Sequence, residues 1–144
     1  MPHPLILLVE DNSGDVGLWC EALEVAGISR DAIVVAEHGE AALGALTAHA
    51  SCGTLPRLII SDSRLPGMDG VTLNEHLRSQ SLISQVPFVI VSGAVPSVDQ
   101  QHGVGWFEKP HDFDSLCILA RKLCATFVTP SQFPSGPRPP LSAP

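Results

Sequence analysis

Glu10, Asp11, Asp62, Ser92 and Lys109 are the residues of this chain best suited to act together in a reaction. Each stands at or beside the end of a short apolar run. Residues 5–9 precede Glu10 and Asp11, residues 58–61 precede Asp62, residues 86–91 precede Ser92, and residues 104–108 precede Lys109. Carboxylates hold hard divalent cations such as Mg²⁺ or Mn²⁺. A carboxylate also serves as nucleophile toward phosphorus, giving an aspartyl phosphate. An ammonium neutralises a phosphate oxygen as a point charge, and a hydroxyl donates a hydrogen bond to it. On residue type alone, Asp62 is the candidate nucleophile and Asp11 and Asp62 the direct cation ligands. Glu10 would act through water, Lys109 would pair with a phosphoryl oxygen, and Ser92 would donate to it.

For these groups to meet, the runs that precede them must be neighbouring parallel strands. Short apolar runs separated by helix-like segments read as buried strands of a parallel sheet, whose carboxyl ends share one crevice. Cap-forming residues 12–15 start a helix that carries Val16, Trp19, Cys20 and Leu23 and stops at Gly27. Residues 32–36 read as the second strand and 40–50 as the second helix. The turn-rich segment 63–70 leads into a third helix at about 71–79. The stretch 94–103, with Pro96, offers only a turn or two of helix. A last helix starts near Asp112 and carries Phe113, Leu116, Ala120, Leu123 and Phe127. The expectation is an α/β fold, a doubly wound five-stranded parallel sheet with helices on both faces and a shortened fourth helix.

The chain has 144 residues and 44% hydrophobic content, enough for one domain with its own core. Mean hydropathy is +0.23. The folded part is placed at 4–127. From 128 to 144 the sequence is proline-rich with few apolar side chains, and is expected to stay disordered or extended. Its two P-x-x-P spacings are weak signals for a proline-recognition partner. Net charge is −7 and the eight Lys and Arg form no cluster, which argues against direct nucleic-acid binding. No apolar run approaches the ~20 residues of a membrane span, and no secretory leader is evident. A cytoplasmic location is expected. Cys20, Cys52, Cys117 and Cys124 lack zinc-type spacing, so they read as thiols, mostly buried, and the six scattered histidines read as surface or loop residues.

The blocks Leu7 to Asn12, Ile60 to Gly70, Val91 to Ala94 and Phe107 to Pro110 together resemble the receiver domain of two-component response regulators, over roughly residues 4–127. The resemblance implies a flavodoxin-like strand order of 2-1-3-4-5. It implies that Asp62 accepts a phosphoryl group from a sensor histidine kinase or a histidine phosphotransfer protein. Mg²⁺ would be arranged by Glu10, Asp11, Asp62 and the backbone carbonyl of Arg64. Lys109-Pro110 would carry a cis peptide, an isomer open to proline. Ser92 would move toward the phosphoryl group while the aromatic ring three residues before the lysine swings inward. The opening Glu10-Asp11-Asn12-x-x-Asp15 also looks like single-domain receivers partnered with phytochrome-type kinases.

Three departures from the family pattern stand out. Trp106 replaces the usual Tyr or Phe of the switch. The segment between Ser92 and Lys109 is about one helical turn short. Arg64 and Ala94 stand two residues beyond Asp62 and Ser92, where receivers vary. The favoured function is a single-domain response regulator that signals through a protein partner or a phosphorelay and catalyses only its own phosphorylation and dephosphorylation. A receiver-like interaction module that works without phosphorylation competes with it. A phosphatase with an aspartyl-phosphate intermediate ranks low, because the expected acid is replaced by Arg64.

Overall fold

A computed structural model of the chain describes residues 3–96 and 104–128. Five strands form one parallel sheet in the order β2-β1-β3-β4-β5. They are β1 (Ile6–Val9), β2 (Ile33–Ala36), β3 (Leu58–Asp62), β4 (Phe88–Ser92) and β5 (Gly105–Glu108). The expected strand order is therefore observed. Four α-helices are described: α1 (Ser13–Val25), α2 (Gly39–Cys52), α3 (Gly70–Arg78) and α4 (Phe113–Leu123). The short helix expected between β4 and β5 falls largely on residues 97–103, outside the described residues. The tail expected at 128–144 is corrected at its first residue: Val128 is buried in the core, and its carbonyl accepts from Arg57 Nη1 at 2.9 Å. Residues 129–144 lie outside the described residues.

The central strands β1 and β3 are buried on both faces, which is why their sequences are continuous apolar runs. Alternation along each strand divides the core in two. Ile6, Leu8, Leu58, Ile60, Val89 and Val91 pack with α1 and α4, among them Trp19, Leu23, Leu116 and Leu123. Leu7, Val9, Ile59 and Ile90 face α2 and α3, meeting Leu46, Leu73 and Leu77. Cys20, Cys117 and Cys124 are small apolar fillers of the first layer, and Cys52, at the end of α2, is exposed. Burial pushes the Cys124 thiol up to about 11.

The helix starts are fixed by short polar caps. Asn12, Asp69 and Asp112 accept from the backbone N–H three residues on, at 2.9, 2.8 and 2.7 Å. The fourth cap, on α2, is His38, whose Nδ1 accepts from Ala41 N at 3.1 Å. The general reading of histidines as surface or loop residues fails at His49. It is buried on α2, with Nδ1 2.9 Å from Thr54 Oγ1, a local partner for that ring nitrogen. The peptide before Pro110 is also corrected. No peptide among the described residues is cis. The trans form is intrinsically favoured by about 0.5–1 kcal/mol, and Lys109 N–H donates to Ser92 O at 2.7 Å with it in place.

At the top of β3 the chain turns back into α3 with no room to spare. A Cβ built on Gly70 would lie 2.7 Å from the Asp62 carbonyl oxygen and 3.3 Å from Ser61 Oγ. Ser61 Oγ itself donates to that carbonyl at 2.8 Å. Gly70→Ala is expected to destabilise the protein by about 1–3 kcal/mol through overpacking, read as a lower urea midpoint. An unchanged midpoint would show that the α3 entry relaxes freely.

Candidate functional site

The site is assembled by strand register. Val9 lies opposite Ser61 on β3 and opposite Ala36 on β2, so Glu10 and Asp11 follow β1 beside the last residue of β3, Asp62. Asp62 pairs with Val91, which places Ser92 one residue further along β4, and Ser92 pairs with Glu108, the neighbour of Lys109. Four chain segments distant in sequence thus bring all five sequence-predicted residues to one edge.

Glu10, Asp11 and Asp62 each offer an oxygen within 4.8 Å of the others, an arrangement that fits a divalent cation. Glu10 is buried, with a side chain 4% exposed, and Asp62 is 17% exposed. Asp11 is exposed. Glu10 Oε2 accepts from Asn12 N at 3.2 Å, and Asp62 Oδ1 accepts from Arg64 N at 3.3 Å. The backbone directly after β3 therefore turns at Asp62. Burial, with added repulsion from Asp62, pushes the Glu10 carboxyl up to about 7. Cation binding would compete with that proton, because an ion beside Glu10 favours its charged form.

Lys109 is the counter-charge. Its Nζ donates to Asp15 Oδ2 at 2.8 Å and lies 3.8 Å from both Glu10 Oε1 and Asp62 Oδ2. Burial alone would lower its pKa, but the Asp15 hydrogen bond and the Glu10 and Asp62 charges outweigh burial and raise it. The ammonium stays charged.

Ser92 is buried and engaged. Its Oγ accepts from Ser63 Oγ at 2.9 Å and from Ala94 N at 3.3 Å. Ser92 retains its own proton to donate. Trp106 is half-buried on β5 and packs against the α2 and α3 layer, while Phe107 packs against the α1 and α4 layer. The reading by residue type missed Ser63 as a partner of Ser92, and used Asp15 only as a cap-region and motif residue. Ser63 carries no signal beyond its place after Asp62. For Asp15, an acid one helical turn after Asp11 was the available clue.

The family model of the response regulator receiver domain matches residues 6–117. The chain belongs to that family. Among sequence relatives, this receiver is 30% identical over 118 residues to the probable methanogenesis regulatory protein FilR2 of Methanothrix harundinacea, which covers 78% of this chain and 76% of FilR2. It also matches the transcriptional regulator NtrC of Klebsiella pneumoniae, but spans only 28% of that longer protein. Among solved structures, the phosphorylated cyanobacterial phytochrome response regulator RcpA superposes with a TM-score of 0.74 at 25% identity, over 89% of this chain and 96% of RcpA. Receiver domains are signalling domains rather than enzymes with turnover on a separate substrate. Among the described residues no helix is long and apolar enough to cross a membrane.

The Glu10 environment has a consequence for pH. The folded state holds a proton on Glu10 up to about 7, whereas the unfolded chain releases it near 4.5. Between those values the folded form binds more protons, so stability falls as pH rises through this window. In chelator, the loss between about pH 5 and pH 8 should be roughly 1–3 kcal/mol by urea denaturation. Glu10→Gln should flatten this slope, and Mg²⁺ should restore stability to the unmutated protein at pH 8. Equal slopes in both proteins would refute the assignment.

Proposed function

We propose that this receiver is a phosphorylation-driven switch in which Asp62 accepts a phosphoryl group from a histidine side chain on a sensor kinase or phosphotransfer protein. The observation that carries this reading is the placement of Asp62. It sits at the end of a central strand, within 4.8 Å of two further carboxylates and 3.8 Å from an ammonium. No solvated surface acid requires that arrangement, and three acids crowded at one edge repel when ionised unless cations answer them.

Glu10, Asp11 and Asp62 would hold the cation, Mg²⁺ or Mn²⁺, together with the backbone carbonyl of Arg64. When bound, that ion supplies positive charge to the transferring phosphoryl oxygens. Asp62 supplies the nucleophile: a carboxylate oxygen bonds to phosphorus as the phosphorus–nitrogen bond of the donor imidazole breaks. The electron pair leaves with the imidazole, which takes up a proton from solvent. Lys109 lies within reach of an oxygen on phosphorylated Asp62, and Ser92 donates its free proton to another. Both adjustments draw on β4 and β5, so the surface around Ser92 and Trp106 is where phosphorylation would be read.

Output passes through a protein partner or a further phosphorelay step. A net charge of −7 with no basic cluster argues against nucleic acid as the direct target. The likeness to RcpA, with the Glu10-Asp11-Asn12-x-x-Asp15 opening, supports a phytochrome-type kinase as donor. We take the working domain as 4–127 together with Val128, whose side chain is buried in the core.

The test is incubation with acetyl phosphate and Mg²⁺, followed by intact-mass measurement, with Asp62→Asn as control. A Mg²⁺-dependent phosphoryl adduct that is absent in Asp62→Asn is expected. If no adduct forms and beryllofluoride fails to bind, the phosphorylation-independent interaction module replaces this reading.

A further inference from the structure

Asp15 stands outside the acidic trio, in the first turn of α1, yet among the described residues it makes the shortest contact that Lys109 has with an acid. The ammonium is 2.8 Å from Asp15 Oδ2, against 3.8 Å from Glu10 and 3.8 Å from Asp62. We propose that Asp15 is a positioning residue that competes with the phosphoryl group for Lys109 and so sets how tightly the site holds a phosphoryl oxygen. The inference rests on Asp62 being the phosphoacceptor, and adds to it a regulator of the same site.

The geometry favours competition over simple support. At 3.8 Å, neither Glu10 nor Asp62 is within hydrogen-bond distance of Nζ, whereas Asp15 is. Asp15 is well placed to hold on. Its backbone N–H is bonded to Asn12 Oδ1 at 2.9 Å, and α1 is anchored by Trp19, which is 3% exposed. Asp15, Leu18, Trp19, Lys109, Pro110 and Phe113 line a cleft of about 100 Å³, so the pair stands at its wall. Pairing outward with Asp15 leaves Asp62 Oδ2 without the ammonium hydrogen bond, and so free as a nucleophile. Once a phosphoryl group is present, Lys109 must weaken its bond to Asp15 to serve the new oxygens. The apparent affinity for a phosphoryl group is reduced by the fraction of molecules in which Lys109 is withheld. Each side chain of the pair is 31% exposed, so solvent screening keeps the effect modest.

The experiment is a beryllofluoride titration in Mg²⁺, read by calorimetry, on the unmutated protein and on Asp15→Asn, Asp15→Glu and Glu37→Gln. Glu37 shares a cleft with Glu10 and Asp11 but has no contact with Lys109 among the described ion pairs, so its variant reports the effect of removing charge alone. Asp15→Asn should bind about three- to fivefold tighter. Asp15→Glu, which keeps the acid, should stay within about twofold of the unmutated protein, as should Glu37→Gln. Melting temperatures separate a structural role, which would move stability without affinity. Unchanged or weaker binding by Asp15→Asn, or an equal gain in Glu37→Gln, overturns the competition. Failure of the unmutated protein to bind beryllofluoride overturns the phosphoacceptor reading and this inference with it.

Discussion

Everything at the functional edge depends on the parallel register between β1 and β3. Val9 opposite Ser61 puts the Glu10-Asp11 pair beside Asp62. A slip of one residue would turn every side chain of the strand to the opposite face. The slip is forbidden by the two-layered core: Leu8 and Ile60 belong to one layer, Leu7 and Ile59 to the other. Burial of alternating aliphatic side chains therefore determines a distance between carboxylates. The chemistry is located by packing that takes no part in it.

The edge then faces an electrostatic problem that packing alone does not solve. Among the described residues, Glu10, Asp11, Asp15 and Asp62 converge there with Lys109. Glu10 bears the greatest strain because it is also the most buried of them. Lys109 offsets part of the repulsion, and a divalent cation would offset more. A site with surplus negative charge, in which Lys109 is shared among three of the acids, is sensitive to any added anion. That sensitivity is the property a switch needs.

Much of this was legible in the residues. The apolar runs of β1 and β3 are unbroken because both faces of these strands are covered, and each ends at a chemically useful group. Parallel topology follows from the helical segments between them. Other features were not legible. His49 has no apolar pattern that marks it as buried; its ring partner is Thr54, five residues away and beyond the end of the helix. The hydroxyl contact between Ser63 and Ser92 joins the ends of two strands, a distance no local pattern encodes. The isomer before Pro110 separates states within about 1 kcal/mol of one another, too small a gap for sequence to decide.

The distribution of thiols carries a different kind of consequence. Cys20, Cys117 and Cys124 are sealed within one layer of the core, and Cys52 alone among the four is exposed. It ends α2, a helix that begins at the carboxyl edge of the sheet and runs back toward the start of β3. The accessible sulfur is therefore at the pole remote from Asp62. A maleimide dye or spin label attached there would leave the acidic edge untouched, and oxidative cross-linking of two molecules through Cys52 would leave both acidic edges open to solvent.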